Sequence, residues 1–367
     1  HPRSRLQCGE PQRSTKLWLR TVLLLNVTGN PTGNPTDTLG RPVRDLRISV
    51  TDRCNFRCTY CMPKEIFNSS FQYLQRSELL SFEEIERVAK CFAQKGVTKI
   101  RLTGGEPLLR NGIEDLVAKL AGIPEINDVA LTTNGALLAR KAVSLAAAGL
   151  DRVTVSLDSL DDTTFMAMND VDFPVQKVLD GIDAAAQAGL GPIKINMVVK
   201  RGVNDNSVID MAAYFKGAGH TLRFIEYMDV GATNGWELSD VVDAQTIVET
   251  LHEAFPIEPV APAYPGEVAT RWRYLDGTGE IGIISSVTQP FCGNCTRARI
   301  SAAGALYTCL FAANGTDLRQ ILRQSPDDEA LDQTVNRVWT HRSDRYSESR
   351  TSITTGVTKV EMSHIGG

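Results

Sequence analysis

From residue 44 onward two periodicities alternate along the chain. Short β-branched runs start near Leu46, Lys99, Asp128, Arg152, Ile193 and Leu222. Between them lie stretches of helical period such as "SFEEIERVAKCFAQKG", "NGIEDLVAKLAGI" and "VQKVLDGIDAAAQAGL". Ser81 and Glu84 have capping-box spacing, and Gly96, Gly149 and Gly189 close helices. Six strand-then-helix units predict an α/β fold whose parallel sheet has right-handed crossovers and is open or curled towards a barrel.

Inside the runs, polar and apolar positions alternate, whereas strands buried on both faces read as continuous apolar stretches. Leu46, Ile48 and Val50 share one face; Arg47, Ser49 and Thr51 share the other. Ile100 and Leu102 oppose Lys99, Arg101 and Thr103, and Ile195 and Met197 oppose Lys194 and Asn196. Val153, Val155 and Leu157 oppose Thr154, Ser156 and Asp158. Helices must cover the apolar face, so the polar face points inward. Arg47, Lys99, Arg101 and Lys194 would each be costly if buried unpaired, which calls for a large anionic guest.

After Met228 the rhythm changes to a helix-like "DAQTIVETLHEAF", a Pro-rich "PIEPVAPAYPGE" and a hairpin "TRWRYLDGTGEIGIISSV". Residues 39–230 are read as the barrel unit, 231–340 as a smaller unit over its mouth, and 341–367 as a tail. Residues 1–38 form an extension with the repeat "GNPTGNPT". Before Asp37 it holds Arg3, Arg5, Arg13, Lys16 and Arg20 against Glu10 alone. Such composition is expected to be disordered. A basic, acid-poor leader also suits an organellar address, which would place the protein in the mitochondrial matrix rather than the cytoplasm.

The 367 residues are 42% apolar and 22% charged, with net charge −4. An acidic balance argues against nucleic acid as a partner, so positive charge for an anion must be local. No apolar run reaches the roughly 20 residues of a membrane span; the best, Leu17 to Val27, is broken by Arg20. Eight cysteines in a chain this long do not make a disulfide scaffold. Cys91, beside Val88 and Phe92 on a predicted helix, reads as a buried structural thiol, and Cys8 has no thiol near it. The other six form two triads, which argues for metal in a reducing compartment.

Cys54, Cys58 and Cys61 follow the first strand directly. A structural zinc closes with four ligands, and no fourth lies nearby; no histidine stands between His1 and His220. A cubane iron–sulfur cluster takes one protein ligand per iron, so three thiolates leave one iron open. Cys292, Cys295 and Cys309 repeat the shortage, and their spacing suits either a zinc ribbon or an auxiliary cluster with an unseen fourth ligand. Arg297 and Arg299 stand beside this second triad, with planar donors suited to phosphate oxygens.

The spacing Cys54-x3-Cys58-x2-Cys61, with Tyr60 before the last thiol and "GGEP" at Gly104–Pro107, resembles the radical S-adenosylmethionine superfamily. From Leu39 onward the chain is similar to the GTP 3′,8-cyclase (molybdenum cofactor biosynthesis protein A) family. The stretches that carry this include "LGRPVRDLRISVTDRCNFRCTYCMP", "IRLTGGEPLLR", "LTTNG", "VSLD", "RFIEYMDVG" and the terminal Gly366-Gly367. The resemblance implies a partial (βα)6 TIM-type barrel with an iron–sulfur unit over its mouth. It implies two [4Fe-4S] clusters, on Cys54, Cys58 and Cys61 and on Cys292, Cys295 and Cys309. Tyr60, Gly104, Gly105, Glu106, Ser156 and Met228 would bind S-adenosylmethionine. Arg47, Lys99, Arg101, Thr132, Lys194, Arg223, Arg297 and Arg299 would hold GTP, and the last two would also serve catalysis.

The reaction implied is that of a lyase in the first step of molybdenum cofactor biosynthesis. Hydrogen leaves the 3′ carbon of GTP and the resulting radical adds to carbon 8 of guanine. Reduction then gives (8S)-3′,8-cyclo-7,8-dihydroguanosine 5′-triphosphate. Implied partners are a low-potential electron donor and, downstream, cyclic pyranopterin monophosphate synthase; a cytoplasmic homodimer is expected. The alternatives are a peptide-maturing radical enzyme with an auxiliary cluster and, from another class, a zinc-stabilised nucleic-acid-binding protein.

Overall fold

The computed structural model describes residues 33–350 and 359–366. Most of the extension, with Cys8, and the terminal Gly367 lie outside the described residues. The six expected strands are present as β1 (Asp45–Ser49), β2 (Lys99–Thr103), β3 (Asp128–Thr133), β4 (Arg152–Ser156), β5 (Lys194–Val199) and β6 (Thr221–Glu226). They pair in chain order, all parallel. Helices such as Phe82–Ala93 and Val175–Gln187 connect them, the first with the Ser81–Glu84 capping box in place.

Strand parity is reproduced. Leu46, Ile48, Ile100, Leu102, Val155 and Ile195 are fully buried within one core that also takes the inner faces of the helices. Each such side chain contributes about 1.5–3 kcal/mol by leaving water, which holds the helical layer on the sheet. Cys91 is buried in the same core.

The C-terminal residues extend this sheet at both edges. The hairpin of β8 (Thr270–Tyr274) and β9 (Glu280–Ile284) forms as expected, with β7 (Ile257–Val260) outside it. Strand β9 also pairs parallel with β6. At the opposite edge β10 (Arg297–Ile300) pairs parallel with β1 and is followed by β11 (Ala305–Tyr307) and β12 (Thr316–Asp317). The sheet is therefore twelve-stranded and open, with the strands β10-β1-β2-β3-β4-β5-β6-β9 all parallel. Side chains from both ends of that parallel run line one cavity, so the sheet curls into a partial barrel.

The ordered unit starts before Leu39. Asp37 is buried and receives Arg41 Nε at 2.6 Å, with Arg342 Nη1 at 3.3 Å. Among the described residues no helix is long and apolar enough to cross a membrane.

Candidate active site

The cavity is about 600 Å³ and runs through the curled sheet. Cys54, Cys58 and Cys61 lie in the loop after β1, at the C-terminal end of the strands. Cys292 and Cys295 precede β10, which is parallel to β1, and so lie at the N-terminal end. Arg44 and Asp45 donate backbone N–H to Thr296 O at 3.0 and 3.2 Å, which ties that turn to the start of β1. Cys309 follows β11, which runs antiparallel to β10 and returns the chain to the same end. The two triads thus face each other along the barrel axis.

The first triad rests on a backbone built for it. Cys61 and Met62 N–H close a turn on Cys58 O, and Arg57 Nη1 donates to Cys54 O at 2.9 Å. The "GGE" stretch packs on this loop. A Cβ on Gly104 would overlap Thr51 O, and one on Gly105 would overlap Arg53 O. Without side chains there, Gly105 and Glu106 N–H reach Thr51 O and Arg53 O, both at 2.8 Å.

Glu106 is buried, and its carboxylate accepts from Thr133 Oγ1 at 2.8 Å, Asn134 N at 2.7 Å and Leu108 N at 3.0 Å. It therefore shapes the wall between β2 and β3; burial raises its pKa to about 7 against those three donors. Tyr60 OH donates to buried Asp158 at 2.8 Å, which fixes the ring between Cys58 and Cys61. Ser156 and Met228 are also on the cavity wall.

The sheet register brings the cations level. Arg47 on β1 aligns with Arg101 on β2 and with Arg299 on β10. Asp45 likewise aligns with Arg297 and Lys99, and Asn196 with Arg223. Among the described residues Arg47, Arg101, Lys194, Arg223, Arg297 and Arg299 have no carboxylate within ion-pair distance. Neutral groups hold some of them: Arg101 donates to Thr154 Oγ1 at 2.9 Å and Thr132 Oγ1 at 3.1 Å, and Arg223 to Asn196 Oδ1 at 2.7 Å.

Burial, then the neighbouring Arg299, Arg297 and Arg101, pulls Arg47 well below its ordinary value. Burial and then Arg223 bring Lys194 down to about 7. Lys99 differs from the other predicted cations. It lies 3.6 Å from Asp45 and 3.7 Å from Asp128, so it has counter-charges while the six cations named above do not.

The thiols at the two ends differ as well. Burial and then Glu106 push Cys54 up to about 11, and burial pushes Cys58 and Cys61 up too. At the second triad burial also acts on Cys295, but Arg297 and Arg342 outweigh it and bring the thiol down to about 6. Arg297 Nη2 lies 3.2 Å from Cys295 Sγ. One thiol at each end has a backbone donor of the kind a cluster-bound thiolate takes: Cys54 Sγ accepts from Phe56 N at 3.4 Å and Cys309 Sγ from Phe311 N at 3.5 Å.

Several residues here carry no signal of their own in the sequence. Arg342 donates to Cys295 O at 2.7 Å and Arg41 to Cys292 O at 2.6 Å, both steadied by Asp37. Asn134, inside "LTTNG", reaches Cys54 Sγ at 3.7 Å. The tail enters the barrel: Arg299 Nη1 donates to Gly366 O, and a Cβ on Gly366 would overlap Thr103 Cγ2.

A curled parallel sheet with a three-cysteine loop after its first strand defines a radical S-adenosylmethionine protein. The profile of the Radical SAM superfamily matches residues 48–215, and that of Molybdenum Cofactor Synthesis C matches residues 220–348. Among solved structures, Streptococcus suis SuiB bound to S-adenosylmethionine superposes with a TM-score of 0.57 at 14% identity. The match covers 81% of this chain and 68% of that one, and it speaks for the fold alone.

The nearer relatives sharpen the class. A protein of Acidothermus cellulolyticus named GTP 3′,8-cyclase is 56% identical over 90% of this chain and 98% of its own length. One of Staphylococcus aureus with the same name is 48% identical over the same shares. The chain belongs to the GTP 3′,8-cyclase family.

Proposed function

We propose that this protein converts GTP to (8S)-3′,8-cyclo-7,8-dihydroguanosine 5′-triphosphate, using one [4Fe-4S] cluster at each end of the cavity. The observation that carries the reading is the pair of thiol triads facing each other across a layer of cations that lack carboxylate partners. On this reading residues 39–230 form the radical-generating unit, 231–340 the auxiliary-cluster unit, and 341–367 a tail that reaches the site. When bound, the first cluster and S-adenosylmethionine supply a 5′-deoxyadenosyl radical.

The chain's own residues supply position and charge. Cys54, Cys58 and Cys61 hold the first cluster; Tyr60, Gly104, Gly105, Ser156 and Met228 line the place for S-adenosylmethionine. Glu106 serves that place by fixing the loop backbone, because its oxygens are already taken. Cys292, Cys295 and Cys309 hold the second cluster with guanine beside it. Lys99, Arg101, Thr132, Lys194 and Arg223 face the triphosphate, while Arg47, Arg297 and Arg299 face the ribose and base from β1 and β10. Gripping the nucleotide at both ends fixes its 3′ carbon towards the first triad and limits its torsions, so that carbon 8 can be reached.

The remaining partners follow the family expectation: a low-potential electron donor, a cyclic pyranopterin monophosphate synthase that takes the product, and a homodimer in the cytoplasm. The test is anaerobic reconstitution with iron and sulfide, followed by GTP, S-adenosylmethionine and dithionite. Formation of 5′-deoxyadenosine with a cyclised nucleotide, at about eight irons per chain, supports the reading. Cofactor cleavage that leaves GTP intact would overturn it.

A further inference from the structure

Tyr264 lies in the connection between β7 and β8, on the cavity wall at the N-terminal end of the strands. Lys99 Nζ sits 5.2 Å from the centre of its ring. The phenol also stands among Arg101, Arg152 and Arg223. The residue is 40% exposed, so part of it meets solvent while Lys99 lies over the ring. Among the described residues nothing hydrogen-bonds its hydroxyl. Burial, then Asp45 and Glu267, holds the phenol above its ordinary range, so it stays a neutral donor.

The loop that carries it is braced. Ala263 N donates to Glu267 Oε2 at 2.7 Å, and Glu267 N to Tyr264 O at 3.2 Å. A Cβ on Gly266, whose φ is +84°, would lie 2.9 Å from Asn294 O, so the loop backbone packs on the turn of the second triad.

A half-exposed aromatic with an unused donor, held by a braced loop over cations, is placed to meet whatever those cations bind. We propose that Tyr264 is a specificity residue for the triphosphate, its hydroxyl donating to an oxygen of the terminal phosphates and its ring closing that end of the cavity. The inference rests on the GTP reading above. A neutral O–H adds a bond to phosphate without adding repulsion to an already crowded set of cations. The cations it faces, Lys99, Arg101, Arg152 and Arg223, lie on β2, β4 and β6 and, Arg152 aside, are the ones assigned above to the triphosphate, so its contact is with phosphate.

The experiment compares wild-type protein and Tyr264→Phe, both reconstituted with clusters, for dissociation constants of GTP and GMP and for kcat at saturating GTP. The substitution removes one oxygen from a half-exposed side chain, and Lys99 keeps its ring. The expected result is GTP binding weaker by about tenfold, GMP binding changed less than about twofold, and kcat retained. Equal losses for both nucleotides, or no loss, overturn the role. Should the wild-type protein itself fail to bind GTP, the substrate reading fails first, and Tyr264's role falls with it.

Discussion

The two ends of the cavity use the same three-thiol device in settings that differ at one thiol. At the C-terminal end the thiols sit in an apolar and acidic setting, with Glu106 and Asp158 close by, and all three are held in the protonated form. At the N-terminal end Cys295 stands against Arg297 and Arg342 and is brought down to about 6. A metal taken up at the first end would have to expel those protons, whereas at the second end Cys295 is drawn towards the thiolate while burial pushes Cys309 up to about 11. The lesson is that burial and guanidinium neighbours, which cysteine spacing does not encode, set how readily each thiol gives up its proton.

The sharpest way to break this comparison is to remove one end. Cys54→Ala is expected to abolish 5′-deoxyadenosine formation while about half the iron remains, read by product analysis and iron content on the same sample. Loss of all iron would mean that the two ends do not load independently. Next in size, Arg297→Ala is expected to lower turnover roughly a hundredfold by removing a contact to the nucleotide, with little change in melting temperature. A collapse in thermal stability with GTP affinity intact would make the residue structural.

Smaller again is Gly366→Ala. Its methyl group would collide with Thr103 inside the barrel, which should displace the tail and cost about tenfold in turnover with clusters and S-adenosylmethionine binding unaffected. The smallest expected effect is on pH. Burial and then Arg223 hold Lys194 near pH 7 in the empty site, so the ammonium is lost as pH rises through that value. A triphosphate favours the charged form, so binding at pH 8 should take up a proton. GTP affinity should fall above pH 7 by at most about tenfold per pH unit. Calorimetry in buffers of different ionisation enthalpy reads the proton directly, and Lys194→Gln should remove it.

Much of the barrel was legible because its information is local. The alternation of Leu46, Ile48 and Val50 with Arg47, Ser49 and Thr51 assigns each residue a face before any pairing is known. Ser81 and Glu84 cap their helix through neighbours three residues apart. What was not legible depends on distant partners. Nothing in "TRARI" says that it will lie beside "DLRIS", yet this pairing sets Arg297 and Arg299 level with Asp45 and Arg47. The partnership of Lys99 with Asp45 and Asp128 required β1, β2 and β3 in register. Arg41 holds Cys292 from 251 residues away, and Asp37, which steadies Arg342, is 305 residues from it.

The amino-acid order alone determined which residue types exist to do chemistry and which face of each strand they occupy, because side-chain alternation and metal-ligand spacing act over a few residues. Only the folded chain decided that the triads stand at opposite ends of one cavity, which cations lack a counter-ion, and where Tyr264 and the tail come to rest. Those outcomes depend on parallel pairing at both sheet edges, and a strand carries no local mark of the partner it will take.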